Sequence, residues 1–195
     1  MQFVLSLSVL LVALAGVSLA LECRNCGAAR CSEGWTEFQG VCYKLIKKET
    51  RFSFTDAQRQ CQSLNSSLAS IPSAQVNSFL TEFASSDANC SRQQLPAPGC
   101  AVWVGLARLV AGTTNDNSLF FWLDSTNSTY RHWARGQPFG TSQHCVNLWS
   151  GARGDLVGFW DNNNCDTTVD IRKAVCAQCP SECLFVAFNF RGFFD

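Results

Sequence analysis

The sequence predicts a disulfide-rich α+β domain. Two helical patterns stand in the first half of the chain, near residues 53–64 and 73–83, with strand-like runs on both sides of them. Twelve cysteines all follow an apolar opening segment. An even count in an exported chain reads as disulfides, because the compartment is oxidising and a small domain gains most from cross-links. At 195 residues the chain holds one domain of ordinary size with short appendages.

Export rests on Phe3 to Leu21, which are almost wholly apolar, with Ser18 and Ala20 placing small side chains before a cut at Leu21. The run is also long enough to span a bilayer as an anchor. Only Met1 and Gln2 precede it, and no Lys or Arg marks a cytoplasmic side. The flanks favour a removed signal peptide over residues 1–20, a secreted product, and no stable membrane span after removal. Three sequons fit export: Asn65-Ser66-Ser67, Asn89-Cys90-Ser91 and Asn127-Ser128-Thr129. Fifteen Lys and Arg balance fifteen Asp and Glu, so nothing points to nucleic acid. The densest basic patch, Lys44, Lys47, Lys48 and Arg51, reads as a solvated strand face.

Residues 21–30 form an extension holding Cys23 and Cys26. Gly40 then marks a turn between two strand-like runs, ending in Val41-Cys42-Tyr43-Lys44-Leu45. Ser53 is placed to cap a helix to Leu64, with Asp56 as the acidic partner of a capping box and Ala57, Cys61 and Leu64 on one face. Ser73 caps a second helix, whose Val76, Phe79, Leu80 and Phe83 form a stripe bound for the core. A polar stretch from Ser85 to Pro98 follows, with Cys90 and Cys100 read as a local bridge across it. Ala101 to Val110 and Leu119 to Leu123 read as strands. Cys145–Trp149 and Gly158–Trp160 read as a pair, and Ile171–Cys176 as the last strand. Between Leu123 and Cys145 lies a long polar stretch, Asp124 to Gln143, and a loop that long inside a compact domain is usually functional.

Four marks in order carry a family resemblance: Cys61 on a helix, Trp103-Val104-Gly105-Leu106, Cys145 and Cys165 flanking Trp160, and Cys176. Over residues 31–178 the chain resembles a C-type lectin-like domain of the long, single-domain form. The resemblance implies two helices flanking small antiparallel sheets, with a long ligand-binding loop. It implies the bridges Cys61–Cys176, Cys145–Cys165 and Cys31–Cys42. It also implies that the first and last strands pair. Cys23, Cys26, Cys179 and Cys183 then bond across the chain ends or join a second chain. The Cys-x-x-Cys spacings at 23–26 and 176–179 also suit zinc or thiol redox chemistry. Export and the fold's own use of Cys176 argue for disulfides.

Sugar-binding relatives of this kind hold calcium with an acid–Pro–Asn or Gln–Pro–Asp tripeptide, a glutamate soon after it and an Asn-Asp pair following a tryptophan. Calcium needs about six to eight oxygens, several of them carboxylate, to offset the cost of stripping its waters. Here the tripeptide is Gln137-Pro138-Phe139, the glutamate position is Gln143, and the pair is Asp161-Asn162 in swapped order. Phe139 has no side-chain oxygen and Gln143 is neutral. Gln137, Gln143, Asp161 and Asn162 are therefore a degenerate calcium set, holding the ion weakly or not at all, with Asp155 and Asp166 nearby in sequence. The same four residues are the candidate ligand contacts. Trp133 or Trp149 could stack on a sugar ring, although tryptophans in this region of the fold are mostly packed.

Enzymatic readings find no support. The two histidines, His132 and His144, belong to no nucleophile–base arrangement and read as loop residues. The tail, residues 179–195, carries five phenylalanines and is too short and interrupted for a span. It packs on the domain or offers a surface for a partner or a second copy. The expected function is glycan or glycoprotein recognition in innate defence. The rival is a protein-binding or matrix module that has kept the fold and lost the sugar site, and an ice- or mineral-associated role is more distant.

Overall fold

The computed structural model describes residues 30–85, 100–108, 117–151, 154–166 and 170–180. The expected leader at 1–20, residues 21–29 of the extension, Asn89, Cys90 and residues 181–195 of the Phe-rich tail lie outside them.

The chain opens with a hairpin, β1 (Thr36–Phe38) against β2 (Val41–Lys47). Phe38 faces Val41 across a two-residue turn in which Gln39 and Gly40 both have positive φ, 50° and 79°. That is the primed turn whose twist suits a hairpin, and it explains the glycine.

Helix α1 (Phe54–Ser63) starts where Ser53 Oγ accepts from the Asp56 backbone N–H at 3.1 Å. The capping box is only half formed, because the Asp56 carboxylate turns outward to Arg59 at 3.0 Å. Ala57 and Cys61 are fully buried on the inner face. After the short strand β3 (Ser67–Leu68), Ser73 Oγ accepts from Val76 N and opens α2 (Ala74–Ser85). Val76 and Leu80 reach the core. Phe79 and Phe83 lie at its edge, and Phe38 stacks on Phe79 at 4.2 Å between centroids.

The other strands are β4 (Ala101–Arg108), β5 (Phe120–Trp122), β6 (Cys145–Trp149), β7 (Trp160–Asn163) and β8 (Lys173–Gln178). All strands join one sheet rather than separate small ones, in the order β1-β2-β8-β4-β6-β7, with β3 also on β8 and β5 on β4. Strand β2 pairs antiparallel with β8 from Cys42 opposite Gln178 to Lys47 opposite Lys173, so the two ends of the domain meet. The β4–β8 contact is parallel, pairing Trp103 with Ala174.

Strand β4 is buried along its whole length because both faces are covered. Val102, Val104 and Leu106 point into the cluster under α2, with Leu80, Leu148 and Trp160. Trp103 and Ala107 point the other way, under α1 with Phe54, Cys61 and Ile171. Gly105 lies where β3 crosses: its N–H donates to Ala69 O at 2.8 Å, and a Cβ there would sit 2.4 Å from Leu68 O. The Trp-Val-Gly-Leu run is thus two core faces separated by a residue that must lack a side chain.

Cys31–Cys42, Cys61–Cys176 and Cys145–Cys165 are bonded. Cys179 is also disulfide-bonded. With Cys176 joined to Cys61, the 176–179 spacing serves neither zinc nor redox exchange. Cys100 is buried just before β4, and its proposed partner Cys90 lies outside the described residues.

Candidate functional site: the long loop and β7

The segment between β5 and β6 holds little regular structure, and side chains fix its path. Tyr130 and Trp133 both pack edge-on against the buried Trp160, at 5.6 and 5.8 Å between centroids. The backbone follows β7 there: Trp160 N donates to His132 O and Ala134 N to Trp160 O, each at 2.8 Å. The half-buried Trp133 ring also meets Phe120 at 5.1 Å, so most of its face is packed. Trp149 is buried as well.

Beyond Trp133 the chain turns at Gly136, passes a cis Gln137–Pro138 bond and presents Phe139, which is 61% exposed. Asn162 of β7, only 1% exposed, holds this tip. Its Oδ1 accepts from Phe139 N at 2.8 Å, and its Nδ2 donates to Phe139 O at 2.8 Å and Gln143 O at 2.9 Å. The Gln143 side chain completes the clasp. Its amide orientation is set by the network: with the nitrogen inward, it donates to Phe139 O at 2.8 Å and Asn162 O at 2.9 Å. Gln137 contributes differently, since its Oε1 is buried without a hydrogen-bond partner. Asp161 is half-buried, opposite Asn147 of β6.

The structure thus brings Phe139, Gln143 and Asn162 into direct contact, with Asp161 adjacent to Asn162 in β7. This set does not fit calcium. Both polar atoms of Asn162 are committed to loop backbone, the Gln143 nitrogen faces inward, and the only carboxylate of the four candidates is Asp161. Asp155 and Asp166 are exposed. No group of three or more His, Cys, Asp or Glu placed to hold a metal occurs among the described residues.

Arg108, Asn77 and Lys173 have positioning roles that no sequence pattern marked. Arg108, buried at the end of β4, donates from Nη2 to Gly140 O at 3.1 Å and lies over the Phe120 ring. Asn77 of α2 donates to Gly158 O at 2.8 Å and accepts from Trp160 Nε1 at 2.7 Å. His132 Nδ1 also lies 2.8 Å from Gly158 O, giving this loop histidine a structural place. Lys173 reaches under α2 to Ala84 O at 2.7 Å, a cation on the helix's terminal carbonyls. A lone polar residue inside an apolar helical stripe, as Asn77 is, was the one signal available.

A family model described as "Lectin C-type domain" matches residues 50–178. The chain is 32% identical over 135 residues to human C-type mannose receptor 2, covering 69% of this chain and 8% of the receptor. Across the curated relatives it matches, the chain spans between 8% and 58% of their length. Among solved structures, the cow CD23 carbohydrate-recognition domain, crystallised in the presence of a GlcNAc2Man3 oligosaccharide, superposes with a TM-score of 0.58 at 24% identity, covering 77% of this chain and 97% of that one. A calcium-independent type II antifreeze protein superposes equally, at 0.58 and 23% identity, covering 78% and 97%. At such identities the likeness shows the fold. The neighbours include both lectins and proteins of other use.

Proposed function

The chain belongs to the C-type lectin domain family, and on that premise we propose that it is a secreted carbohydrate-binding protein of innate defence that recognises glycans through the long loop without calcium. Members of this family are generally binding proteins rather than enzymes. No helix among the described residues is long and apolar enough to cross a membrane.

The Asn162 clasp carries the reading. A loop tip held by carboxamide hydrogen bonds at 2.8–2.9 Å is already ordered, so it can present Gln137, Phe139 and Asp161 to a ligand without a metal to organise it. Binding then comes from few polar contacts beside an apolar ring, a common composition for a small-ligand site.

The test is a glycan array on the secreted protein with and without chelator, beside calcium calorimetry. Chelator-resistant binding that Phe139→Ala and Gln137→Ala abolish supports the reading. Calcium heat with chelator-sensitive binding overturns the calcium-free part, and an empty array overturns glycan recognition. The second reading, a protein-binding module, is favoured by one observation: Phe139 is 61% exposed at the tip where sugar-binding relatives place an oxygen ligand. An empty array together with a protein partner lost on Phe139→Ala would establish it.

A further inference from the structure

A concave site lies away from the long-loop tip. It is a cavity of about 460 Å³ between β2, the segment after β3 and the start of the long loop, within the usual ~300–1,000 Å³ of small-ligand sites. Val41 and Pro72 supply apolar walls, and Tyr43, Ser70 and Thr126 supply hydroxyls. On its rim sits Asn127, the acceptor of a sequon, with an exposed side chain whose carboxamide bonds to no other described residue.

Two features make this a built site. Tyr43 is only 2% exposed and lines the cavity, and its hydroxyl bonds to no other described residue. A packed tyrosine ring with a wet hydroxyl end offers that hydroxyl to a ligand. The loop that carries Asn127 is also fixed on both sides. Ser70 Oγ and Thr126 Oγ1 lie 3.2 Å apart, and Ser128 Oγ donates to Pro72 O at 3.0 Å. Ser128 O in turn accepts from Arg131 Nη1 at 3.0 Å. A group attached to Asn127 is therefore held at the mouth of the cavity.

We infer that this cavity is an N-acetylhexosamine subsite filled by the first sugar of the protein's own N-linked glycan on Asn127. The chemistry matches piece by piece. The acetamido carbonyl can accept from Tyr43, its methyl suits Val41 and Pro72, and ring hydroxyls suit Ser70 and Thr126. Covalent attachment at the rim gives the sugar a high effective concentration, so modest contacts suffice to keep it there. Attachment is the ordinary transfer from a polyprenyl-pyrophosphate-linked oligosaccharide during export. Asn127 Nδ2 bonds to the sugar C1, the C1–O bond to pyrophosphate breaks with its electron pair leaving on the pyrophosphate, and the amide loses one proton. The inference rests on the export in the proposed function and not on glycan recognition at the long loop.

The experiment uses full-length protein secreted from glycosylating cells. Peptide mass spectrometry reads occupancy at Asn127. Melting is then compared for intact protein, protein trimmed to a single N-acetylglucosamine, and Asn127→Gln. Trimmed protein should melt with the intact form, and Asn127→Gln about 2–4 °C lower. Tyr43→Phe should lower melting by a similar ~2–4 °C in the glycosylated protein and not in the Asn127→Gln background. Free N-acetylglucosamine, followed by NMR, should perturb the cavity of Asn127→Gln protein and leave the glycosylated form untouched. Secreted protein with Asn127 bare overturns the inference. So do equal effects of Tyr43→Phe in both backgrounds, or free sugar entering both forms alike. Chain retained in the cell with no sequon modified overturns it through export, a failure distinct from an empty glycan array.

Discussion

Asn162 shows how one side chain can decide what a site needs. An aspartate there would offer two acceptors, whereas the carboxamide offers an acceptor to Phe139 N and a donor to the Phe139 and Gln143 carbonyls. Asn162→Ala should cost about 1–3 kcal/mol, because buried loop groups lose their partners, and denaturant melts read it directly. Asn162→Asp should cost a comparable amount without metal, since a carboxylate then faces two carbonyls. Added calcium should restore part of that loss in Asn162→Asp and change nothing in the wild type. A wild-type melt that moves with chelator would contradict the clasp. Phe139→Asp is the complementary change. If calcium-dependent sugar binding appears in it, this chain is an oxygen or two short of a metal site.

At the scale of elements, the Trp103–Leu106 segment links the two halves of the core. Gly105→Ala would put a Cβ 2.4 Å from Leu68 O. That contact is with backbone and cannot be relieved by a rotamer, so a loss of about 2–3 kcal/mol is expected, read as a drop in the denaturation midpoint at unchanged slope. The Cys61–Cys176 bridge staples α1 to β8 across a separation of 115 residues. Its replacement by alanines should cost about 2–5 kcal/mol through the freed unfolded chain and the emptied core position. The capping of α1 was legible from Ser53, but the outward turn of Asp56 was not, since Arg59 competes for it at the surface. The stripe of α2 was legible too. Asn77 within it was not, because its partners Gly158 and Trp160 are distant in sequence.

For the whole molecule, alkaline stability is the sharpest test of packing. The chain has two tyrosines. Burial raises both hydroxyls above their ordinary value, and for Tyr43 the nearby Asp124 and Glu37 charges add to the effect. A folded-state value above the unfolded one means a contribution fully present below the ordinary tyrosine value of about 10 and lost as pH rises beyond it. Ultraviolet titration should therefore show little tyrosinate at that pH in folded protein, with Tyr43 ionising only as the fold opens. Tyrosinate appearing at the ordinary value would mean that Tyr43 is not enclosed.

The frame of the domain can be read along the chain. Cysteine spacing, the two apolar helical stripes and the Trp-Val-Gly-Leu run each report a local period or a covalent option, and those can be read along the chain. The candidate residues Gln137, Phe139, Gln143, Asp161 and Asn162 also stand at recognisable offsets from Trp160 and Cys145. How those residues bond to one another depends on the folded chain. The partners of Asn162 are backbone groups some twenty positions away, at 19 and 23 residues, and backbone groups carry no residue identity to read. Likewise, nothing in the sequence sets Asn127 beside Tyr43, which belongs to a strand more than eighty positions earlier. Long-range backbone pairing and the close approach of distant loops bring both sets of residues together, and neither has a period or a spacing in the chain.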